Sequence, residues 1–223
     1  MQRTNLASRT LPDYTRGEER FHMISHIVGG GMGVIATVLC VIVAALEENG
    51  YGVVSGAIFG GSMVALYTIS SVYHGLHGGT GKKVMQILDH CTIYFLIAGT
   101  YTPFCLCTIR QHNPALGWGT FGLIWALAVV GIVLNAIDLK RFQKLSMVLY
   151  LGMGWCIILT GKLIVQLLGG TGFALLVGGG VAYTVGAVFY GLGHKRRYIH
   201  SVFHLFCLVG SALHILCILF YVI

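Results

Sequence analysis

Seven runs of apolar residues, each close to the ~20 needed to cross ~30 Å of hydrocarbon, leave this chain little choice of fold. They lie at about 22–46, 52–74, 85–107, 117–137, 145–168, 172–192 and 200–222. With 56% hydrophobic and 9% charged residues in 223, a water-soluble core is excluded. The connections are short, namely Glu47 to Asn49, His77 to Lys83, Ile109 to Pro114, Asp138 to Lys144, the Gly169-Gly170 turn and Gly193 to Ile199. Short loops force each helix beside its predecessor, so the expected fold is all-α, a seven-transmembrane helix bundle over 21–223.

Residues 1–20 are polar and carry Arg3, Arg9, Arg16 and Arg20 without an apolar region or a small-residue cleavage site, which reads as an arm and not a signal peptide. Lys82, Lys83, Lys140, Arg141, Lys144, Lys195, Arg196 and Arg197 fall in the even-numbered loops. Arm and even loops thus hold twelve of the fourteen Lys and Arg, against Arg110, Lys162 and the acidic Glu47-Glu48 on the other side. The positive-inside rule makes the arm and N terminus cytoplasmic, and seven crossings put the C terminus outside. The net charge of +7 therefore sets topology and does not point to nucleic acid. The seven cysteines all sit in apolar runs and read as small buried hydrophobes, the Cys105-Leu-Cys107 pair included.

Rare polar residues in such a chain carry a function. Two histidines four apart, His200 and His204, open the last run and share a helix face with Cβ atoms roughly 5–6 Å apart, within reach of one metal ion. At the same expected depth the second helix ends with Ser70-x-x-x-His74 and the third begins with Asp89-His90. His74, His200 and His204 offer three neutral nitrogens, which suits zinc (Zn2+) with one position left for water. Asp89, the only acid well inside an apolar run, could act on that water. Ser70, one turn before His74, is placed to support the site or to bond a substrate carbonyl.

His90 points about 100° away from Asp89 around the helix and reads as structural, or as a partner of Asp89. His22 and His26 repeat the four-residue spacing on the first helix; a hydrogen-bonding role between helices is the favoured reading, and metal binding stays open. His214 lies roughly 15 Å along the helix from His204 and cannot share its site. His77, His112 and His194 fall in loops and are assigned nothing. Pro103 should kink the third helix. Gly29-x-x-x-Gly33 and Gly56-x-x-x-Gly60 allow close helix approach, favoured within one chain, with an oligomer left open.

These residues resemble the motif set of the hemolysin III family and its relatives, the progestin and adiponectin receptors, within the superfamily that includes alkaline ceramidases. The resemblance extends to Glu18-Glu19-x-x-His22-x-x-x-His26, to Leu88-Asp89-His90 through Pro103-Phe104, and to Gly210-Ser211-x-x-His214. The short arm and tight loops look bacterial and fit a multi-pass plasma-membrane protein. The resemblance implies zinc near the cytoplasmic face on His74, His200 and His204, with Asp89 acting through water, and an association with hydrolysis of a lipid amide. Three functions compete at this point: an intramembrane zinc hydrolase acting on membrane lipids, a sensor or receptor in which zinc is structural, and a cytolytic pore. The pore is weakest, because no polar stripe lines the segments.

Overall fold

A computed structural model of the chain describes residues 4–193 and 196–223; Arg3, His194 and Lys195 lie outside the described residues. The helices are α1 (Arg16–Leu46), α2 (Gly50–Gly75), α3 (Thr80–Pro103), the short α4 (Arg110–His112), α5 (Pro114–Trp155), α6 (Lys162–Leu192) and α7 (Ile199–Tyr221). No strand occurs among the described residues. Among the described residues six helical stretches are long and apolar enough to cross a membrane, with α3 continuing through α4 to His112 and α5 continuing to Thr160.

Two of those stretches are broken inside. At Asp138 the backbone of α5 leaves the helical region (φ −159, ψ 91). Ser146 Oγ donates to Asn135 Oδ1 at 2.6 Å, and Asn135 Nδ2 donates to the Tyr150 hydroxyl at 3.1 Å. An unbroken helix would hold Asn135 and Ser146 about 16 Å apart, so the chain doubles back at Asp138. In α6 the break is Gly169, whose φ of 64 favours glycine. Trp155 Nε1 reaches Thr184 Oγ1 at 3.0 Å, two residues placed almost symmetrically about that break. The two breaks coincide with the start of the fourth connection and with the Gly169-Gly170 turn expected from the sequence.

Pro103 acts differently from a simple kink. Without an N–H it cannot continue the i→i−4 ladder, and the chain passes into a π-helix over Phe104–Ile109 before α4. At the other end of the bundle α1 starts before its apolar run, because Thr15 and Glu18 form a capping box. Thr15 Oγ1 accepts from the Glu18 N–H at 3.2 Å, and the Glu18 carboxylate accepts from the Thr15 N–H at 2.8 Å. Glu18 and Glu19 are therefore helical residues inside the structure, not part of the arm.

Both glycine pairs pack α1 on α2 within the one chain. A methyl group at Gly29 would sit 2.6 Å from the Tyr67 ring, one at Gly33 would sit 3.0 Å from Met63 and the Val64 backbone, and Gly56 and Gly60 lie against Cys40 and Thr37. Around the bundle α1 touches α2 and α7, α2 touches α3, α3 touches α5, and α6 touches α7, whereas α5 and α6 meet at few points. The core centres on Phe59, Met63, Tyr67, Tyr94, Phe104 and Ile124. All seven cysteines are free, and five of them are buried.

The candidate metal centre and its cavity

Three helices bring four histidines together. His22 of α1, His74 of α2 and His200 and His204 of α7 are all buried, and one ligand nitrogen from each lies within 4.8 Å of all the others. The expected trio is therefore assembled, and His22 joins it. His204 Nε2 and His200 Nε2 face each other at 3.1 Å. Two neutral imidazoles can share one hydrogen there, but two nitrogens on a tetrahedral ion at 2.0–2.1 Å stand about 3.3 Å apart, so the spacing also fits a common metal.

The outer nitrogens support the same assignment. His74 Nδ1 is 2.6 Å from Glu19 Oε2, and Glu19 Oε1 accepts from Lys82 Nζ at 2.5 Å. A carboxylate behind an imidazole fixes its tautomer and turns Nε2 inward as a lone-pair donor, the arrangement usual for metal-bound histidine. Lys82, buried despite its charge, also donates to the Leu76 carbonyl at 2.9 Å. His22 Nε2 meets Ser201 Oγ at 2.9 Å, which links α1 to α7 and leaves Nδ1 without a partner among the described residues. The hydrogen-bonding role between helices expected of His22 is present, together with a place in the cluster. His26 differs: neither ring nitrogen has a described partner, and it stacks on His204 with centroids 3.9 Å apart.

Residues 4–15 close this end of the bundle. The Thr4 N–H donates to Asp138 Oδ2 at 2.9 Å, and Lys83 Nζ donates to the Ala7 carbonyl at 2.6 Å. Tyr14 then stacks on His200, with centroids 5.1 Å apart and planes 17° apart. Burial there pushes the Tyr14 phenol above its ordinary range, so it stays neutral. Glu18 accepts from the Tyr198 N–H at 2.7 Å and so pins the residue just before α7, which has a left-handed φ of 60.

Asp89 and Ser70 do not lie within the histidine cluster. Ser70 and Asp89 both line a cavity of about 490 Å³ whose wall also includes His200 and His204. His90 lines it too, but its ring is committed, Nδ1 to the Gln86 carbonyl at 2.9 Å and Nε2 to the Tyr190 hydroxyl at 3.1 Å. His90 Nδ1 stands 3.8 Å from Asp89 Oδ2. Leu66, Ile93, Leu96 and Ile97 make much of the remaining wall apolar. A second cavity of about 360 Å³ adjoins it and shares Tyr101, Trp155 and His214 with it. His214 is not one of the clustered histidines, and its Nε2 bonds the Leu176 carbonyl at 3.1 Å.

Sequence reasoning had no sight of Glu19 and Lys82 as a pair behind His74. The signals available were the Glu18-Glu19 pair ahead of His22 and the Thr15–Glu18 capping spacing, which moves the start of α1 to include Glu19.

Fold and site together define a multi-pass membrane protein built round a buried histidine cluster that could hold a metal ion. The family profile described as haemolysin-III related matches residues 14–215, and the chain belongs to that family. It is 42% identical over 206 residues to Hemolysin-3 of Bacillus cereus, covering 92% of each chain. The Hemolysin-3 homolog of Bacillus subtilis is 40% identical over 208 residues, covering 93% of this chain and 96% of that one. A more distant likeness, 26% over 175 residues, is to the human monocyte to macrophage differentiation factor, covering 76% and 71%.

Proposed function

We propose that this protein is a zinc-dependent hydrolase of the bacterial plasma membrane that cleaves an amide or ester bond of a membrane lipid. In this reading the chain crosses the bilayer seven times, because the reversals at Asp138 and Gly169 divide the long helical stretches. The N terminus and the histidine cluster lie on the cytoplasmic side and the C terminus outside. The observation that carries the reading is a single cavity that joins His200 and His204 to Asp89 and Ser70 and is otherwise largely apolar.

His74, His200 and His204 would hold the ion, and a zinc ion there supplies Lewis-acid chemistry, polarising a carbonyl and lowering the pKa of water toward ~7. Asp89 takes the proton from a water as its oxygen adds to the acyl carbon, then returns it to the departing nitrogen or oxygen. Ser70, in the same cavity wall, is placed to support Asp89 or to bond the substrate carbonyl. Leu66, Ile93, Leu96 and Ile97 receive the chain and keep bulk water from the reacting bond. The test is lipid analysis of bacterial membranes incubated with the purified protein and with its His204→Ala variant. A lipid consumed and a free fatty acid released by the first alone support hydrolysis; identical profiles refute it.

One observation favours a second reading. His22 supplies a fourth imidazole, and four protein ligands close a zinc site to water. The ion would then tie α1, α2 and α7 together in a sensor. His22→Ala separates the two, since a hydrolase keeps zinc and turnover on three histidines while a closed structural site loses its metal.

A further inference from the structure

The arm end of the large cavity carries polar groups that the hydrolytic reading leaves unused. Arg9 from the arm and Lys140 from just beyond the Asp138 break both line it. Neither forms an ion pair among the described residues; the nearby acid, Asp138, accepts instead from the backbone N–H groups of Thr4 and Arg141, at 2.9 and 3.1 Å. Two further groups face the same space from deep burial. Gln86 is 8% exposed and Tyr73 is 3% exposed, yet Gln86 Oε1 and the Tyr73 hydroxyl have no partner among the described residues. Leaving each such group unsatisfied is costly, and a ligand offering the complementary group would recover that cost.

The chemistry of the set is specific. Two cations call for an anion, and an orphaned carbonyl oxygen calls for a hydroxyl or amide donor. Asp89 repels an anion and so confines it to the rim beside Arg9 and Lys140, while the apolar wall deeper in accepts a hydrocarbon chain. We propose that the rim is a headgroup site for a phospholipid bearing an anionic phosphate and free hydroxyls, with Arg9 and Lys140 on the phosphate and Gln86 and Tyr73 on the hydroxyls. The proposal rests on the cavity being a lipid site and names the class of lipid that enters it. A phosphoglycerol headgroup satisfies every one of these groups. A choline headgroup offers no donor to Gln86 and cancels the charge.

Binding, not turnover, tests this. Purified full-length protein in detergent is titrated with a short-chain phosphatidylglycerol, with the matching phosphatidylcholine, and with glycerol phosphate alone. Phosphatidylglycerol should bind at least tenfold more tightly than either of the others. Arg9→Gln and Lys140→Gln should each weaken it about tenfold, and Gln86→Leu should narrow its margin over phosphatidylcholine. Lys144→Gln, at an exposed position outside the cavity wall, should bind as the wild type does. None of these measurements needs turnover, so the headgroup site stands even if no hydrolysis is found. Equal losses in the Arg9, Lys140 and Lys144 variants would reveal only general surface attraction and overturn the site. Glycerol phosphate binding as tightly as the whole lipid would overturn the lipid assignment.

Discussion

At the scale of single residues, the cluster is ordered by what stands behind each imidazole. Glu19 holds His74 through Nδ1 and is itself held by Lys82, so the inward nitrogen of His74 is fixed before any ion arrives. Glu19→Gln should therefore weaken metal binding about 10–100-fold, read by competition with a chelator, while the protein stays folded. Asp89→Asn should keep the metal and lower any hydrolysis by about 10²–10⁴, because asparagine preserves the shape of the side chain but cannot accept a proton. Loss of metal in Asp89→Asn would instead make Asp89 a ligand. The gathering of His74, His200 and His204 was legible in the sequence because four-residue spacing and a shared membrane depth bring them to one place. His22 was not, since its spacing to His26 is the same whether the pair packs or ligates. Only the approach of α1 to α7 separates the two, placing His22 beside Ser201 and leaving His26 stacked on a ring.

At the scale of elements, small residues decide how close the helices come. Gly33 lies where a side chain would strike Met63 and the Val64 backbone, whereas Gly31, two residues away on the same helix, meets nothing within 4 Å. Gly33→Leu should destabilise the protein by about 1–3 kcal/mol through overpacking, and Gly31→Leu should leave thermal unfolding in detergent unchanged. The helix breaks were readable in advance from Asp138 and its basic neighbours and from the Gly169-Gly170 pair. The π-helix after Pro103 was not, because the missing N–H predicts a disturbance without predicting how the ladder re-forms. The start of α1 was placed too late for a similar reason: hydropathy marks where the apolar run begins, while the capping box at Thr15 and Glu18 sets where the helix begins.

At the scale of the whole molecule, chain topology and chemistry meet at one end of the bundle, where the arm crosses the mouth of the cavity and Tyr14 lies on His200. If that end is cytoplasmic, a reporter fused after Lys144 should read as cytoplasmic and one fused after Ile223 as extracytoplasmic; the reverse pattern would place the cluster at the outer face. Composition foretold a helical membrane protein but not this closure, because the arm's ties, Thr4 to Asp138 and Ala7 to Lys83, join residues with no periodicity to reveal them. The proposed chemistry depends on the histidines holding an ion. The most direct measurement is elemental analysis of the purified protein beside its His74→Ala, His200→Ala and His204→Ala variants. About one zinc per wild-type chain and marked depletion in each variant are expected, whereas a metal-free wild type, or zinc unchanged in all three variants, would rule out the metal centre.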